Sequence, residues 1–484
     1  MTDEVINWVD NRQNDGYKVV KREPGLNCAE KNVVYDDQIS LLEMIRDISK
    51  IRHIIKVGSE NIDGDNRSTN NLFDCVNGQI KTGNLIGVIN TPKDDSNRSI
   101  RIEISSRFDK GGKNYFLMYL LGCLYGFDIF DDQISTSNET SFDVILYVMF
   151  VVNLKKAFEN GLYKVYKTFR HNDYDFKGSF DVSRHIKLNS PFTGKTAYST
   201  REYTYDNDIL CMIRQTIDTI KSKYNDFWDS LISRYNSLAE IENIIISATP
   251  SYQWNILYQN RKLCMSKITH PLYGDYEAVR VICQRILSEE GDNIFDNNDN
   301  ESFALIIDMS WLWEEFVARK LLNTFDYTHI VNNGSKNGLY YSEKKRPWYP
   351  DFVERKSQNE RRNVVDAKYK FWDYNSKDMH QLLSYLFLTG GTCCGAVFPV
   401  SDKEDNTDCI EIQSYKDFYS TEVTVRCFKL PFKVPDYQED TSFGEYTCMM
   451  EKSINDWKKS FEINVCDMVT IVKGVWSSFQ IRNN

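Results

Sequence analysis

The sequence lacks the features that identify membrane, secreted and zinc-binding proteins. Its longest apolar runs, residues 115–121 and 144–154, are well below the roughly 18 residues of a membrane-spanning helix. The polar start MTDE contains no signal peptide, so we expect a reducing, cytoplasmic location. None of the 12 cysteines forms a C-x-x-C pair, and the six histidines lack zinc-ligand spacing. Cys393 and Cys394 are expected to be buried thiols on opposite faces of a strand.

The sequence also lacks a nucleotide-binding P-loop and a net positive charge. Residues 193–196 (TGKT) superficially match a P-loop, but Asn189 stands where the motif requires glycine, and no apolar strand precedes it. The formal net charge is -10, so any nucleic-acid surface has to be a local basic patch. Nucleotide hydrolysis by this chain is therefore not predicted.

What is present is a globular composition in a chain long enough for several domains. Hydrophobic residues make up 41% and charged residues 26% of the 484 positions, which excludes a disordered chain. Hydrophobic periodicity predicts strands at 85–91 and 99–104, and helices at 41–55, 115–125, 141–170, 209–224 and much of 225–290. Loops are predicted at 58–71 and 289–301. We predict a mixed α+β and α/β fold with an N-terminal α+β domain (1–160), a mainly helical middle region with short strands (161–300) and a C-terminal domain with a mixed sheet flanked by helices (301–484).

A β-hairpin predicted within the last domain carries the most informative residues. Two β-rich runs, 346–353 and 363–370, flank a polar loop. Because strand side chains alternate between faces, Asp366 and Lys368 are neighbours, and Asp351 on the partner strand can reach the same point. The alternative is a surface hairpin with ordinary ion pairs, since short D-x-K strings also occur by chance.

Two converging carboxylates and a lysine suit magnesium-dependent hydrolysis of phosphodiesters. Mg²⁺ takes oxygen ligands and keeps several waters, which makes Asp351 and Asp366 the predicted metal ligands. Lys368 can orient the nucleophile or stabilise the pentacovalent phosphate. Pro350-Asp351 followed by Asp366-Ala367-Lys368 is the pattern of PD-(D/E)xK nucleases. The C-terminal domain is therefore predicted to be a PD-(D/E)xK endonuclease with Mg²⁺ as its cofactor.

The helix predicted at 309–325 adds a third acid, Glu314. Its helical spacing places it on an apolar face, where a carboxylate is costly unless a metal or hydrogen bonds compensate it. Glu314 is either a catalytic acid that supports the metal site or a boundary residue that reaches water. Glu315 is expected to pair with Arg319 at the surface.

The helix predicted at 376–389, stopped by the glycines at 390 and 391, adds two polar residues. Gln381 and Tyr385 are one helical turn apart and point together toward the sheet. They either support the site by contacting a phosphate or a metal-bound water, or they cap the core.

These motifs resemble McrC, the nuclease subunit of McrBC-type modification-dependent restriction systems. The resemblance is patchy from residue 87 to residue 400, and its pieces are, in order, Arg107-Phe108, Gly161-Leu162-Tyr163 with Tyr166, Lys177-Gly178 with Asp181-Val182, Tyr203 with Asp206, Asp308-Met309 with residues 312–317 (LWEEFV), Pro350-Asp351, residues 365–370 (VDAKYK), and Gln381 with Tyr385. It implies a DNA endonuclease that docks, through its N-terminal domain, on a McrB-like AAA+ ring and stimulates its nucleotide hydrolysis. Lys164, Lys167 and Arg170 are candidates for contact with the ring.

Three alternatives remain open from the sequence. The chain can be the nuclease subunit of a system that reads a specific unmodified sequence, with a McrB-like motor. It can also be a non-catalytic adaptor of an AAA+ ring, or a nuclease that needs no motor. The modified base and the choice between GTP and ATP in the partner are not predicted.

Overall fold

The computed structural model of the chain describes residues 4–10, 17–20, 33–35, 38–47, 51, 53–58, 72–76, 79–92, 100–109, 113–126, 141–234, 236–253, 266–289, 302–330, 339–340, 347–356, 361–370, 372, 374, 376–401, 408–413, 424–438 and 440–480. The chain folds into two compact units. Unit 1 comprises Met1–Ser137 and Glu301–Asn484, and unit 2 comprises Asn138–Asn300. This differs from the consecutive domains predicted at 1–160, 161–300 and 301–484, because a strand from the C-terminal third completes a sheet formed by the N-terminal part.

The first part of unit 1 contains β1 (Glu4–Val9), β2 (Tyr17–Val20), β3 (Val33–Tyr35), α1 (Ile39–Ile45), β4 (His53–Val57), β5 (Phe73–Val76), β6 (Gln79–Thr82), β7 (Leu85–Asn90), β8 (Ile100–Ser105) and α2 (Tyr115–Tyr125). Unit 2 contains α3 (Ser141–Glu159), β9 (Val165–Asp173), β10 (Ser179–Phe180), α4 (Val182–Leu188), β11 (Thr196–Thr204), α5 (Asp208–Lys223), α6 (Asn225–Arg234), α7 (Asn236–Ala248), a 3-10 turn (Pro271–Tyr273) and α8 (Asp275–Glu289). The second part of unit 1 contains β12 (Phe303–Asp308), α9 (Met309–Phe316) with a π-helical extension (Val317–Leu321), β13 (Tyr327–His329), β14 (Leu339–Tyr340), β15 (Pro347–Trp348), β16 (Phe352–Glu354), β17 (Arg362–Ala367), α10 (Ser376–Thr389), β18 (Gly390–Ser401), β19 (Asp408–Gln413), β20 (Thr424–Val434) and α11 (Phe443–Gln480).

The N-terminal sheet of unit 1 has the strand order β1-β8-β7-β12-β4. Strand β8 alternates buried isoleucines with partly exposed Arg101 and Glu103, as expected of a strand with one face on the core. A smaller sheet, β3-β2-β6-β5, contributes Val34 and Phe73 to the same core. The predicted strands at 85–91 and 99–104 and the predicted helix at 115–125 are confirmed.

Strand β12 belongs to this sheet although it lies in the C-terminal part of the sequence. It lies antiparallel to β7 and parallel to β4. The approach of β7 depends on Gly87, whose φ is +149° and where a Cβ atom would lie 1.8 Å from the carbonyl oxygen of Leu305. Since β12 continues directly into α9, the N-terminal sheet fixes the start of the helix that carries Glu314.

The second large sheet of unit 1 is mixed, with the order β13-β16-β17-β18-β20-β19. Strands β17, β18 and β20 run parallel, β16 and β19 pair antiparallel with β17 and β20, and β13 pairs antiparallel with β16. Helix α10 packs on β17 and β18, and α11 packs on β20. Strand β18 is a nearly continuous buried run that includes Cys393 and Cys394, as expected of a central parallel strand. The mixed sheet and its flanking helices agree with the predicted α/β class.

Unit 2 combines an antiparallel sheet, β10-β11-β9, with helices. Helix α5 starts at Asn207, whose side chain caps it by accepting a hydrogen bond of 3.1 Å from the N–H of Leu210. This confirms the helix predicted at 209–224. Residues 193–196 lead into strand β11 and not into a helix, which agrees with their exclusion as a P-loop.

Two predicted helices are wrong at their C-terminal ends. The helix predicted at 141–170 ends with α3 because Gly161 adopts a φ of +85°, and the alternating chain beyond it forms β9. The helix predicted at 41–55 ends with α1, and the β-branched residues near Ile55 form β4. The predicted loops fall almost entirely outside the described residues. Within the described part of the chain, no helix combines the length and the apolar character needed to cross a lipid bilayer.

Candidate active site

The predicted hairpin is formed by β16 and β17, and it brings two acids together at one end of the mixed sheet. Phe352 pairs with Val365, so Asp351, one residue before β16, lies opposite Asp366. Oδ2 of Asp351 accepts a 2.7 Å hydrogen bond from the backbone N–H of Ala367. The hairpin and the approach of its two carboxylates are confirmed, while most of its loop lies outside the described residues.

Lys368, which is the residue just after β17, completes the cluster. Its Nζ lies 2.5 Å from Oδ2 of Asp366, which confirms that these residues share a face. Its backbone N–H donates 2.8 Å to the carbonyl of Val397 on β18 and so prolongs the parallel pairing. Burial acts to lower the pKa of Lys368, but the carboxylates of Asp366 and Asp351 outweigh it and hold that pKa above its ordinary value. Lys368 is therefore a fixed positive charge at neutral pH.

Gln381 and Tyr385 of α10 form a hydrogen-bonded chain that ends on Lys368. Lys368 Nζ donates 3.0 Å to Oε1 of Gln381, and Nε2 of Gln381 donates 2.9 Å to the hydroxyl of Tyr385. That hydroxyl donates 3.1 Å to the carbonyl of Tyr349. Burial, aided by the nearby acids, raises the pKa of Tyr385 to about 12, so the phenol stays neutral. The predicted pair thus points into the site, where it orients the ammonium group.

Two carboxyl groups share this cluster with a single ammonium group. Asp366 is 1% exposed, and the pKa of Asp351 lies well above its ordinary value because of burial and then of the neighbouring carboxylates of Asp366 and Glu314. A hydrogen bond between the carboxyl groups of Asp351 and Asp366 adds to this shift in pKa, and Nζ of Lys368 lies 2.5 Å from Oδ2 of Asp366. The cluster therefore favours an additional cation.

The residues present fit a hard cation with few protein ligands. Among the residues that the structure describes, no three His, Cys, Asp or Glu side chains cluster closely enough to hold a metal by themselves. Mg²⁺ is commonly bound by one or two carboxylates together with waters and substrate phosphates, whereas structural zinc sites need four protein ligands. Asp351 and Asp366 match the first donor set and not the second.

Glu314 lies on α9, whose start is fixed by Asp308. Oδ1 of Asp308 accepts a 2.9 Å hydrogen bond from the N–H of Ser310 and caps the helix. The side chain of Glu314 is 28% exposed, and its Oε1 lies 2.7 Å from Nε2 of His329. The predicted surface pair on the same helix is confirmed, with 3.0 Å between Glu315 and Arg319. Glu314 thus sits at the boundary of the core with a specific partner, near enough to Asp351 to influence its charge.

A second buried polar cluster adjoins the site and was not anticipated. The N–H of Arg107 donates 2.7 Å to Oδ1 of Asp10, and its guanidinium donates 2.5 Å to the carbonyl of Tyr369. The same guanidinium lies 4.4 Å from the centre of the Tyr369 ring, and the hydroxyl of Tyr369 lies 3.2 Å from Oγ of Ser106. Burial raises the pKa of Asp10, against the opposing effect of Arg107. Arg107 and Ser106 therefore hold Tyr369, the residue that directly follows Lys368, in place.

Sequence reasoning missed His329 and Asp10 because their contacts are distant along the chain. His329 meets Glu314 only through the pairing of β13 with β16, and Asp10 meets Arg107 only through the parallel pairing of β1 with β8. Arg107 is one of the residues that carry the family resemblance, but no local pattern in the sequence indicates its partner.

The arrangement can bind a hard cation between two carboxylates and hold an ammonium group beside it. Such a site can bring a phosphate oxygen and a water to the same cation. Lys368 adds a positive charge that can stabilise negative charge developing on a bound substrate.

Residues 80–393 match the model of the family described as McrBC 5-methylcytosine restriction system component. Among solved structures, the chain is similar to a half-complex refined from a tetradecameric assembly of Thermococcus gammatolerans McrB AAA+ hexamers with bound McrC, with 14% identity, a TM-score of 0.46, and coverage of 93% of this chain and 99% of that chain. It is also similar to a chain of the cryo-EM structure of the Thermococcus gammatolerans McrBC complex, with 13% identity, a TM-score of 0.30, and coverage of 67% and 89%. None of the curated proteins matches the sequence. Because the family match spans well over half of its residues, the chain belongs to the McrBC 5-methylcytosine restriction system component family.

Proposed function

We propose that this chain is the DNA-cleaving subunit of a McrBC-type restriction system that defends against foreign DNA. We assign Mg²⁺-dependent hydrolysis of phosphodiester bonds to Asp351, Asp366 and Lys368, on a PD-(D/E)xK type of core. The observation that carries the proposal is the convergence of two carboxylates, that of Asp366 fully buried and that of Asp351 partly buried, with an ion-paired lysine at the end of a mixed sheet. Membership of the restriction family supports DNA as the substrate.

The proposed chemistry divides among the residues of the cluster. Asp351 and Asp366 would hold the Mg²⁺ ion. When bound, the ion would lower the pKa of a water molecule and offset the charge of the scissile phosphate. Lys368, kept protonated by its acidic neighbours, stabilises the negative charge that develops on the pentacovalent phosphate. Gln381 restricts the direction of the ammonium group.

We further propose a McrB-like AAA+ ring as the partner, using GTP or ATP. The family is defined as one component of a multi-part system, which supports a separate motor. Unit 2 also exposes large apolar side chains near the ends of β9 and β11, an unusual composition for a free surface. These side chains are Tyr174, Phe176, Phe180, Ile186 and Phe192. Basic Lys164, Lys167 and Arg170 lie on β9 of the same sheet or directly before it and remain candidates for contact with the ring.

Reconstitution with a McrB-like AAA+ protein tests the proposal. We expect nucleotide- and Mg²⁺-dependent cleavage of DNA by the wild-type complex. Asp366→Asn should abolish cleavage but preserve stimulation of nucleotide hydrolysis. The matched control is Glu411→Gln, which breaks an exposed ion pair with Arg426 on the same sheet and should leave cleavage unchanged.

The same experiment separates the alternatives. Cleavage by Asp366→Asn with unchanged metal dependence would show that the site is assigned wrongly. Stimulation of the ring without any cleavage by the wild-type complex would identify an adaptor, and cleavage without nucleotide would identify a freestanding nuclease. A comparison of methylated with unmethylated DNA of equal sequence separates modification-dependent from sequence-specific restriction.

A further inference from the structure

We infer that His329 is a positioning residue that holds the carboxylate of Glu314 near Asp351, where Glu314 adds a third negative charge to the surroundings of the cation without being a direct ligand. This inference rests on the proposed function, since it concerns the same site. It assigns a role to a histidine that no sequence motif singles out.

The position of His329 follows from the pairing of two short strands. β13 runs antiparallel to β16, with His329 opposite Phe352, the residue after Asp351. The backbone N–H of Ile330 donates 2.9 Å to the carbonyl of Asp351, which locks the two strands together at this point. His329 is therefore fixed one strand away from the backbone of a proposed metal ligand.

The imidazole ring is held on one side and hydrogen-bonded on the other. It stacks on the ring of Phe352 with 5.1 Å between ring centres and an angle of 26°. Its Nε2 lies 2.7 Å from Oε1 of Glu314. A carboxylate only accepts hydrogen bonds, so this contact selects the tautomer in which Nε2 carries the proton. The stacked ring leaves the N–H aimed at Glu314.

Glu314 needs such a partner if it is to act at the site. A glutamate side chain has several rotatable bonds, and at the boundary of the core it can turn toward solvent. The 2.7 Å contact restrains it instead on the side of α9 that faces β13. Glu314 is thereby held one hydrogen bond away from His329, which pairs with Phe352, the residue directly after Asp351. Groups that surround the direct ligands commonly contribute about 10- to 100-fold to metal affinity, on the order of the effect expected here.

The test measures binding of Mn²⁺ to the full chain by calorimetry, without DNA or partner. His329→Phe keeps an aromatic ring for Phe352 but removes the hydrogen bond, and we expect the dissociation constant for Mn²⁺ to rise about tenfold or more. His329→Gln retains a donor and should recover part of that loss. His380→Phe, at an exposed position on α10, is the matched control and should not change binding.

A double-mutant cycle separates positioning from a general structural effect. Glu314→Gln alone should weaken Mn²⁺ binding. In the Glu314→Gln background, His329→Phe should weaken binding no further, because each change removes the same interaction between His329 and Glu314. Thermal unfolding of each variant gives the fraction of the protein that is folded, and the Mn²⁺ affinity is calculated for that fraction. If His329→Phe folds poorly, His329→Gln is compared with wild type instead.

The outcomes distinguish the inference from the proposed function. Equal Mn²⁺ affinity of wild type and both His329 variants, or an undiminished effect of His329→Phe in the Glu314→Gln background, would overturn the role of His329 while leaving the proposed nuclease site intact. A wild-type chain that binds no Mn²⁺ would overturn the cation site itself and the positioning role with it.

Discussion

Consecutive residues, Lys368 and Tyr369, belong to two buried polar clusters with different charge balance. The Lys368 cluster sets one lysine against two acids, Asp366, which is fully buried, and Asp351, which is partly buried. The Tyr369 cluster sets one arginine, Arg107, against one acid, Asp10. Asp10 accepts a hydrogen bond from the backbone N–H of Arg107, while the guanidinium contacts the carbonyl and the ring of Tyr369.

The difference separates a site that can accept a ligand from a contact that stabilises the fold. Two neighbouring acids with one lysine favour an additional cation, whereas the matched pair of Arg107 and Asp10 has one acid for one base, and Asp10 accepts the backbone N–H of Arg107. The matched pair also links β1 and β8 of the N-terminal sheet to the end of the strand that carries Asp366. The N-terminal segment is therefore part of the scaffold of the candidate site, although Arg107 and Tyr369 are 262 positions apart in sequence.

The largest effect is expected for Asp366→Asn, which tests the surplus charge. Cleavage by the reconstituted complex should fall by about a thousandfold or more, since a metal site supplies several kcal/mol of transition-state stabilisation and each ~1.36 kcal/mol is a factor of ten. The free energy of unfolding without metal should stay equal or rise by about 1 kcal/mol, because a buried charge is removed. Both quantities are measured on the same preparations, by plasmid cleavage and by urea denaturation with EDTA. A clear loss of stability would indicate that Asp366 stabilises the fold in the absence of a cation and is not a destabilising charge that a cation has to compensate.

Arg107→Met tests the matched pair and should act mainly on stability. It leaves the carboxylate of Asp10 buried without its countercharge, so we expect a loss of about 3–5 kcal/mol in the free energy of unfolding. Arg319→Met removes the surface partner of Glu315 and should cost about 1 kcal/mol or less. Similar small losses for the two variants in urea denaturation would remove the distinction between the clusters.

The sequence alone predicted the features that depend on neighbouring residues. Alternation along a strand placed Asp366 beside Lys368, and helical spacing placed Gln381 with Tyr385 and Glu315 with Arg319. In each case the geometry follows from a period of about two or about 3.6 residues. These are the contacts for which the local backbone, and not the tertiary fold, decides the outcome.

The remainder depends on strand order, which no local pattern encodes. The insertion of β12 between β7 and β4 mixes the ends of the chain in one sheet and shifts the domain boundaries. The pairs of His329 with Glu314 and of Asp10 with Arg107 exist only because of such pairings. The metal-binding and catalytic roles of the site residues stay predictions, because they concern groups that arrive from outside the chain.

The next expected effect is a pH dependence that distinguishes Asp351 from an ordinary exposed acid. Its pKa in the folded chain lies above the ordinary value of 3.8 because of burial and then of Asp366 and Glu314. The folded state therefore binds this proton more tightly than the unfolded state does. The resulting stability is fully present below about pH 4 and is lost as the pH rises through the pKa of the folded state. The loss is about 1.4 kcal/mol for every tenfold difference in proton affinity between the folded and unfolded states.

The measurement is the difference in free energy of unfolding between wild type and Asp351→Asn, taken from about pH 4 to about pH 8 with EDTA. The difference isolates Asp351 from other buried acids, such as Asp109, whose pKa is raised to about 6 by burial. We expect wild type to lose stability relative to Asp351→Asn as the pH rises, and Mg²⁺ to restore part of it at the alkaline end. Curves that remain parallel would indicate that the folded state does not raise the pKa of Asp351.

The smallest effect is expected at Gln381, which decides whether the polar pair on α10 serves the site or only caps the core. Gln381→Met keeps the length of the side chain but removes the acceptor for Lys368, so cleavage should fall about tenfold, the value of a hydrogen bond to a charged group. Tyr385→Phe removes the hydroxyl that accepts a hydrogen bond from Gln381, one contact further from Lys368, and should lower cleavage less. His380→Ala, one residue before Gln381 and exposed, is the control.

The comparison of the two clusters gives the reason for this order. The guanidinium of Arg107 in the Tyr369 cluster contacts a backbone carbonyl and an aromatic ring. Lys368 contacts the carboxylate of Asp366 and the neutral amide of Gln381, so the loss of Gln381 removes one of these two partners and should have a small effect. A fall in stability of Gln381→Met with unchanged cleavage per folded molecule would make the pair a core cap. Equal losses of cleavage from Gln381→Met and Tyr385→Phe would mean that the hydrogen-bonded chain acts as one unit.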